Sequence, residues 1–206
     1  MAVTSDPTRT PRRFSWRILI KPAVFIICLI PLAMAVYAVA SNRMGANPIE
    51  GVLHVTGEWG LRFLLITLSV TPLQFTFNWL WVARLRRMLG LYAFFYATLH
   101  LTIWVVLDQG LELGTVLREI VEKKYILVGI IALLTMLPLA LTSNRWAIRK
   151  LGKKWKPLHR LVYPLTLLAI VHFLWQVRAK DVGEPAIYLA IFLFLLLWRF
   201  VRELKK

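Results

Sequence analysis

Residues 88–107 read MLGLYAFFYATLHLTIWVVL, twenty consecutive residues without one Asp, Glu, Lys or Arg. An α-helix rises about 1.5 Å per residue, so this stretch is about 30 Å long as a helix, which matches the hydrocarbon core of a bilayer. The whole chain of 206 residues has the same character, because 59% of it is hydrophobic and 17% is charged, against about 25% charged in soluble proteins. The composition therefore excludes a soluble globular domain and an intrinsically disordered chain.

Five further apolar runs have the length of a membrane-spanning helix, or nearly so: Ile18–Ala40, Val52–Leu73, Tyr125–Leu141, Leu158–Val177 and Ala186–Phe200. We predict an all-α integral membrane bundle of six transmembrane helices. The last run is short, and we expect Arg199 and Arg202 to extend it by snorkelling towards the interface. The sequence shows no internal repeat.

The charged residues alternate between the two sides of these runs. A net charge of +16 would suggest nucleic acid in a soluble protein, but here the charges are topology signals and no nucleic-acid partner is predicted. One side carries 19 of the 26 basic residues: Arg9, Arg12, Arg13, Arg17, Lys21, Arg84, Arg86, Arg87, Arg145, Arg149, Lys150, Lys153, Lys154, Lys156, Arg160, Arg199, Arg202, Lys205 and Lys206. The other side carries eight of the ten acids. The positive-inside rule then places both termini in the cytoplasm.

Four histidines lie in or at the edges of the spans, where an ionisable residue suggests a function: His54, His100, His159 and His172. His100 lies twelve residues into the third span and His172 fourteen into the fifth, about 18 and 21 Å from the cytoplasmic side. Two imidazoles at one level on parallel helices are what a b-type haem needs as axial ligands. The alternative is that each histidine only hydrogen-bonds a neighbouring helix. The single cysteine, Cys28, excludes an internal disulfide and a covalent C-x-x-C-H haem site.

His159 lies thirteen residues before His172, about 20 Å along the axis. This spacing allows a second haem on the cytoplasmic side, but the matching position on the third span, about fourteen residues before His100, is Arg86. An inner haem would then be five-coordinate, or use another residue or water, or not exist. His159 is predicted to serve such a haem or the entry of electrons from the donor.

Two stripes of side chains accompany the histidines. His54, Glu58 and Arg62 share one face of the second span. Glu58 and Arg62 can neutralise each other; alternatively, Arg62 pairs with a haem propionate while His54 orients or ligates the haem. Tyr92, Tyr96, His100 and Trp104 form an aromatic stripe on the third span, which suits either a porphyrin wall or ordinary helix packing.

The segments GANPIE (45–50), HVTGEWGLRFLLITLSVTPL (54–73), RRMLGLYAFFYATLH (86–100) and LTSNRWAIRKLGKKWKPLHRLVYPLTLLAIVHFLWQV (141–177) carry a family resemblance. Over residues 45–180 the chain resembles the MsrQ (formerly YedZ) family, the haem-binding membrane subunits of the bacterial MsrPQ methionine sulfoxide reductase system. It is similar more broadly to the ferric reductase-like transmembrane domain shared with NADPH oxidases. In that domain two histidines on each of the third and fifth helices hold two haems. This chain keeps His159 and His172 on the fifth helix, and His100 alone on the third.

The resemblance implies a membrane electron carrier of the bacterial inner membrane. It implies haem b, one or two per chain, and FMN. Electrons would come from a cytoplasmic flavin reductase or the quinone pool and pass to the periplasmic molybdopterin enzyme MsrP, which repairs methionine sulfoxide in periplasmic proteins. The domain boundaries implied are a cytoplasmic arm (1–17), the six-helix haem domain (18–201) and a cytoplasmic tail (202–206). The chain has no G-x-G-x-x-G motif for a nicotinamide cofactor, so it needs a donor.

The fourth connection, from Arg145 to Lys156, is unusually basic. The charges are explained by topology and attraction to anionic lipid; alternatively, Lys150, Lys153 and Lys154 receive an FMN phosphate, a haem propionate or an acidic face of the donor. Two other functions stay open for the whole chain. One is a stand-alone membrane ferric or quinone reductase cytochrome, and the other is a small proton-coupled transporter, which would be colourless.

Overall fold

The computed structural model describes residues 17–177 and 181–204. In these ranges the chain forms helices and no strand, which confirms the predicted all-α class. The helices are α1 (Arg17–Ala40), α2 (Pro48–Thr76), α3 (Arg86–Ile103), α4 (Leu113–Glu122), α5 (Lys124–Leu141), α6 (Arg145–Leu151), α7 (Trp155–His159), α8 (Val162–Gln176) and α9 (Gly183–Leu204). The basic residues Arg9, Arg12, Arg13, Lys205 and Lys206 lie outside the described residues.

Within the described ranges, four helical segments are long and apolar enough to cross a membrane: Leu19–Ala40, Val82–Asp108, Lys124–Leu141 and Gly183–Leu204. The segments Arg145–His159 and Val162–Gln176, bent by 44°, make a fifth if they form one span. The remaining predicted span lies in α2, which is long enough but includes Glu58 and Arg62. The protein is therefore a multi-pass membrane protein, while six spans and cytoplasmic termini stay a prediction.

Four of the helices form the centre of the bundle. Helix α2 packs along α3, and α5 packs along α8. We call the end where α2 and α5 begin the acidic end, and the end where α3 and α8 begin the basic end. The acidic end holds eight acids: Glu50, Glu58, Asp108, Glu112, Glu119, Glu122, Asp181 and Glu184.

Helix α1 is fastened to α3 by two tyrosines of the aromatic stripe. The Tyr96 hydroxyl accepts from the Leu32 N–H at 3.1 Å and donates to the Cys28 carbonyl at 2.9 Å. The Tyr92 hydroxyl donates to the Phe25 carbonyl at 2.9 Å. Both tyrosines are buried among apolar side chains, so they serve helix packing; of the stripe, His100 and Trp104 line the cavity described below.

A proline near the end of α2 explains the position of Arg199. Pro72 has no N–H, so the carbonyl of Leu68 loses its normal helical partner. The Arg199 guanidinium donates to that carbonyl at 3.2 Å. Arg199 therefore points from α9 towards α2, and the snorkelling of Arg199 and Arg202 towards the interface stays a prediction. Helix α9 continues to Leu204, and the end of the membrane domain at residue 201 also stays a prediction.

Two connections contain short helices that the sequence did not reveal. Helix α4 lies between α3 and α5 and buries Val116. Helix α6 is preceded by the N-cap Asn144, whose side chain accepts from the Ala147 N–H at 2.8 Å. It is followed by Gly152, whose φ of +50° favours glycine. Helix α6 thus fixes the backbone that carries the lysines of the fourth connection.

Candidate functional site

A cavity of about 380 Å³ lies between α2, α3, α5 and α8, in the half of the bundle nearer the acidic end. His100 from α3 and His172 from α8 both line it. The centroids of their rings are 6.2 Å apart, and the ring planes are nearly perpendicular, at 82°. The structure thus brings together the two histidines that the sequence predicts to lie at one level.

This separation fits an iron atom between the rings. An iron held about 2.0 Å from each coordinating nitrogen, the length of ordinary metal–histidine bonds, would place the two ring centroids roughly 6 Å apart. The described residues contain no group of three or more His, Cys, Asp or Glu that could hold a metal ion. The cavity therefore suits a metal that brings its own equatorial ligands, as haem does.

Hydrogen bonds to the backbone determine which nitrogen of each ring is free. Nδ1 of His100 lies 3.0 Å from the carbonyl oxygen of Leu53, and Nδ1 of His172 lies 2.6 Å from that of Tyr125. A carbonyl oxygen only accepts, so both Nδ1 atoms carry the proton and both Nε2 atoms keep a lone pair. Metal-binding histidines in proteins are commonly oriented by this kind of hydrogen bond.

A glycine one turn after each carbonyl lets the helix approach the imidazole. A Cβ on Gly57 would lie 3.1 Å from Nδ1 of His100, and a Cβ on Gly129 would lie 2.8 Å from Nδ1 and Cε1 of His172. A larger residue at either position would require the imidazole or the helix to shift. Each glycine precedes its histidine by 43 residues, and the residue whose carbonyl binds that histidine precedes it by 47. The pair α2 and α3 and the pair α5 and α8 therefore share one arrangement of carbonyl, glycine and histidine.

His54 lines the cavity, whereas Arg62 is not among the residues that line it. His54 is 39% exposed, and its Nε2 is 3.8 Å from Glu50 Oε1. Arg62 donates to Glu58 at 2.8 Å, to Glu184 at 2.9 Å and to the Tyr188 hydroxyl at 2.7 Å. These contacts favour the interpretation that Arg62 is neutralised by acids. Its role towards a haem propionate, like the role of His54 as a ligand, stays a prediction.

His159 lies at the basic end, and its contacts differ from those of the other two histidines. Its ring stacks on Trp155 with centroids 3.9 Å apart, and Nε2 is 3.0 Å from Thr142 Oγ1. The Thr142 hydroxyl donates its own proton to the Pro138 carbonyl at 2.6 Å, so it accepts from Nε2–H of His159. His159 is not among the residues that line the cavity. We call Thr142, Trp155 and His159 the inner cluster.

The comparisons with known proteins identify the family. Residues 56–170 match the family described as ferric reductase like transmembrane component. The chain belongs to this family. Proteins from Brucella ovis, Brucella canis and Brucella suis are each 43% identical to it over 194 residues, which are 94% of this chain and 86% of the relative. All three are named protein-methionine-sulfoxide reductase heme-binding subunit MsrQ.

Two other predicted positions of this ferric reductase-like chain lie apart from the cavity. The guanidinium of Arg86 donates to Thr71 Oγ1 of α2 at 3.1 Å, on the side of α3 that faces α2. Lys150, Lys153 and Lys154 are exposed on α6 and the turn after it, and the Lys150 ammonium lies 4.6 Å from the ring centroid of Trp146. Among the residues that the structure describes, none of these lysines is in an ion pair.

Sequence reasoning missed Gly57 and Gly129, and with them the two carbonyls that orient the histidines. A signal for the glycines exists, because a glycine precedes both His100 and His172 by 43 residues. It is weak on its own, since glycine is frequent in membrane helices and often serves only close packing between them. Every residue has a backbone carbonyl, so the sequence does not indicate which carbonyl will accept a hydrogen bond from a histidine.

Proposed function

We propose that this chain is the haem-binding membrane subunit of a methionine sulfoxide reductase system. In this proposal it is a b-type cytochrome that carries electrons from a donor on the cytoplasmic side to a periplasmic molybdopterin reductase of the MsrP type. The observation that carries the proposal is the pair His100 and His172, each with Nδ1 bound and Nε2 free. The names of the Brucella relatives support the system to which it is assigned.

His100 and His172 would hold the iron, and haem bound there supplies a one-electron redox centre. The chain contributes orientation, because the carbonyls of Leu53 and Tyr125 hold each imidazole by its other nitrogen. These hydrogen bonds also raise the basicity of the coordinating nitrogens. The apolar helices α2, α3, α5 and α8 restrict access of water, which affects the redox potential of such a site.

The position of the cavity supports electron delivery towards the acidic end, which the charge pattern predicts to be periplasmic. His159, near the basic end, would serve electron entry or a second haem. The exposed lysines Lys150, Lys153 and Lys154 would meet an FMN phosphate or an acidic face of a flavin reductase; the quinone pool is the other proposed donor.

An absorption spectrum of the purified full-length chain tests the haem assignment. We expect a Soret band and an α-band that sharpens on reduction. Each of the single variants, His100→Ala and His172→Ala, should lose both bands. A colourless chain that folds and inserts normally would contradict the proposal and leave the proton-coupled transporter. The acceptor is tested separately, by mixing the reduced chain with an MsrP-type reductase and a methionine sulfoxide peptide.

A stand-alone ferric or quinone reductase is the second candidate, because the family description names ferric reductases. The two functions differ in the oxidant. Reoxidation of the reduced chain by the periplasmic reductase, but not by ferric citrate or a water-soluble quinone, supports the first. Rapid reoxidation by ferric citrate or the quinone alone supports the second.

A further inference from the structure

Three arginines gather at the basic end, where α2, α3 and α9 meet. Arg199 follows Tyr188, Phe192 and Leu195 on the buried face of α9. Its Nη2 donates to Thr71 Oγ1 at 2.9 Å as well as to Leu68, and its Nη1 donates to the hydroxyl of Tyr163. Its Nε is buried and has no hydrogen-bond partner among the described residues. One donor of this buried guanidinium is therefore unpaired within the described residues.

Arg86 approaches the same hydroxyl from α3. Its Nη2 lies 3.1 Å from Thr71 Oγ1, so the Nη2 atoms of Arg86 and Arg199 are no more than 6.0 Å apart. Arg202 lies one turn further along α9, with its guanidinium over the ring of Phe75, which is one turn beyond Thr71 on α2. We call Arg86, Arg199 and Arg202 the arginine cluster.

Among the described residues one acid, Glu203 on α9, lies near enough for its charge to act on Arg199, but none of the three arginines forms an ion pair. In residues 17–177 and 181–204 the ion pairs involve Glu50, Glu58, Glu119 and Glu184, all of which lie at the acidic end. Partly buried charges in membrane proteins are normally paired. Three guanidinium groups against one nearby acid leave a net positive charge at this end of the bundle, which indicates a site for an anion.

We propose that the arginine cluster binds the phosphate of an anionic membrane lipid. Guanidinium groups bind phosphate oxygens through paired, charge-assisted hydrogen bonds. Apolar side chains next to the cluster are exposed and available to acyl chains: Phe75 is 51% exposed on α2, and Leu197, Phe200 and Leu204 are 60%, 61% and 71% exposed on α9. The basic end is predicted to face the cytoplasmic leaflet, which carries the anionic lipids. A soluble phosphate would use the arginines but not this apolar border.

The lipid phosphate would add a connection between α3 and α9 next to the Thr71 hydroxyl of α2, to which Arg86 and Arg199 both donate. Arg86 would bind the phosphate from α3, and Arg199 and Arg202 would bind it from α9. Ligands that bind the folded state raise its stability in proportion to the logarithm of their concentration above Kd. A lipid bound here should therefore stabilise the bundle against unfolding, independently of whether haem is the cofactor.

The test uses the full chain, delipidated in a neutral detergent, with thermal unfolding and native mass spectrometry as readouts. Phosphatidylglycerol is the probe, phosphatidylcholine is the zwitterionic control, and inorganic phosphate is the soluble control. Arg86→Gln and Arg202→Gln remove charge from the cluster, while Arg87→Gln is the matched control from the next position in the chain. Arg199 is left in place because it also satisfies the Leu68 carbonyl.

We expect phosphatidylglycerol to raise the Tm of the parent and of Arg87→Gln by several degrees, with one lipid retained in the mass spectrum. Loss of one charge-assisted contact should weaken lipid binding in Arg86→Gln and Arg202→Gln by about tenfold or more. Equal shifts in all four proteins would overturn the proposal. So would an equal effect of phosphatidylcholine, or a shift with inorganic phosphate as large as that with phosphatidylglycerol.

Discussion

The histidines at the two ends of the bundle differ in which ring nitrogen is available. In the cavity, His100 and His172 each give Nδ1–H to a backbone carbonyl and keep Nε2 free. In the inner cluster, His159 gives Nε2–H to Thr142 and stacks flat on Trp155. Ligation by Nε2 of His159 would first require this bond to break. The difference lies in the hydrogen-bond partners, which leave Nε2 of His100 and His172 free to bind a metal ion and occupy Nε2 of His159.

The largest effect is expected from removing a cavity histidine. His100→Ala or His172→Ala should abolish the low-spin haem spectrum, because a single remaining imidazole leaves the iron without its second axial ligand. The measurement is the absorption and electron paramagnetic resonance spectrum of the purified variant. Thr102→Ala, an exposed position on α3 that does not line the cavity, is the control and should keep the spectrum. Unchanged spectra in both cavity variants would contradict the assignment of His100 and His172 as the residues that hold the haem.

The next effect concerns the glycines. Gly129→Ala should reduce haem retention more than Gly57→Ala, because its Cβ would lie 2.8 Å from the His172 ring, against 3.1 Å for Gly57 and His100. Overpacking of this kind costs about 1–3 kcal/mol. Haem-to-protein ratio and ligand-field bands report the displacement of the ring. Gly90→Ala is the matched control, since its Cβ would meet only Thr67 Cγ2, at 3.7 Å.

If Gly90→Ala lost as much haem as Gly129→Ala, the loss would reflect general helix packing. If both cavity variants kept the parent's haem and spectrum, the close approach of α2 and α5 to the imidazoles would have no role in the site.

A smaller effect is expected at the inner cluster. His159→Ala should slow reduction by a cytoplasmic donor while leaving the spectrum of the haem between His100 and His172 nearly unchanged. The physical reason is that His159 lies near the donor side and does not line the cavity. Stopped-flow reduction with a flavin donor gives the rate, and dithionite reduction gives the control for haem content. If His159→Ala lost the spectrum of the cavity haem but was reduced at the normal rate, the role assigned to His159 in electron entry would be wrong.

The smallest effect is expected from the exposed lysines. Converting Lys150, Lys153 and Lys154 to Gln together should lower the rate of reduction by a flavin reductase severalfold at low salt and flatten its dependence on ionic strength. Exposed charges act mainly on the rate of encounter and are screened by salt. Arg118→Gln, exposed at the acidic end, is the control. An unchanged rate and salt dependence would leave the lysines as topology signals.

Much of the fold could be predicted from the sequence. The runs that became α1, α3, α5 and α9 are long, apolar and free of charges in their centres, so helix type follows from length and composition alone. The short helix α4 was missed because its ten residues lie in an acidic connection and bury only Val116. The bend before α8 was missed because the predicted run, Leu158–Val177, joins the last residues of α7 to α8 without a break.

The sequence by itself determined that this chain is helical, crosses a membrane and carries His100 and His172 at one depth. Those properties follow from hydropathy and from the constant rise of a helix, which require no knowledge of neighbours. Only the tertiary structure decided that Tyr92 and Tyr96 fasten α1, that Arg62 is held by Glu58 and Glu184, and that the cavity imidazoles keep Nε2 free. Most of these contacts join residues 47 or more positions apart, and they depend on which faces of the helices meet. Helix packing, which short-range sequence patterns do not specify, selects those faces.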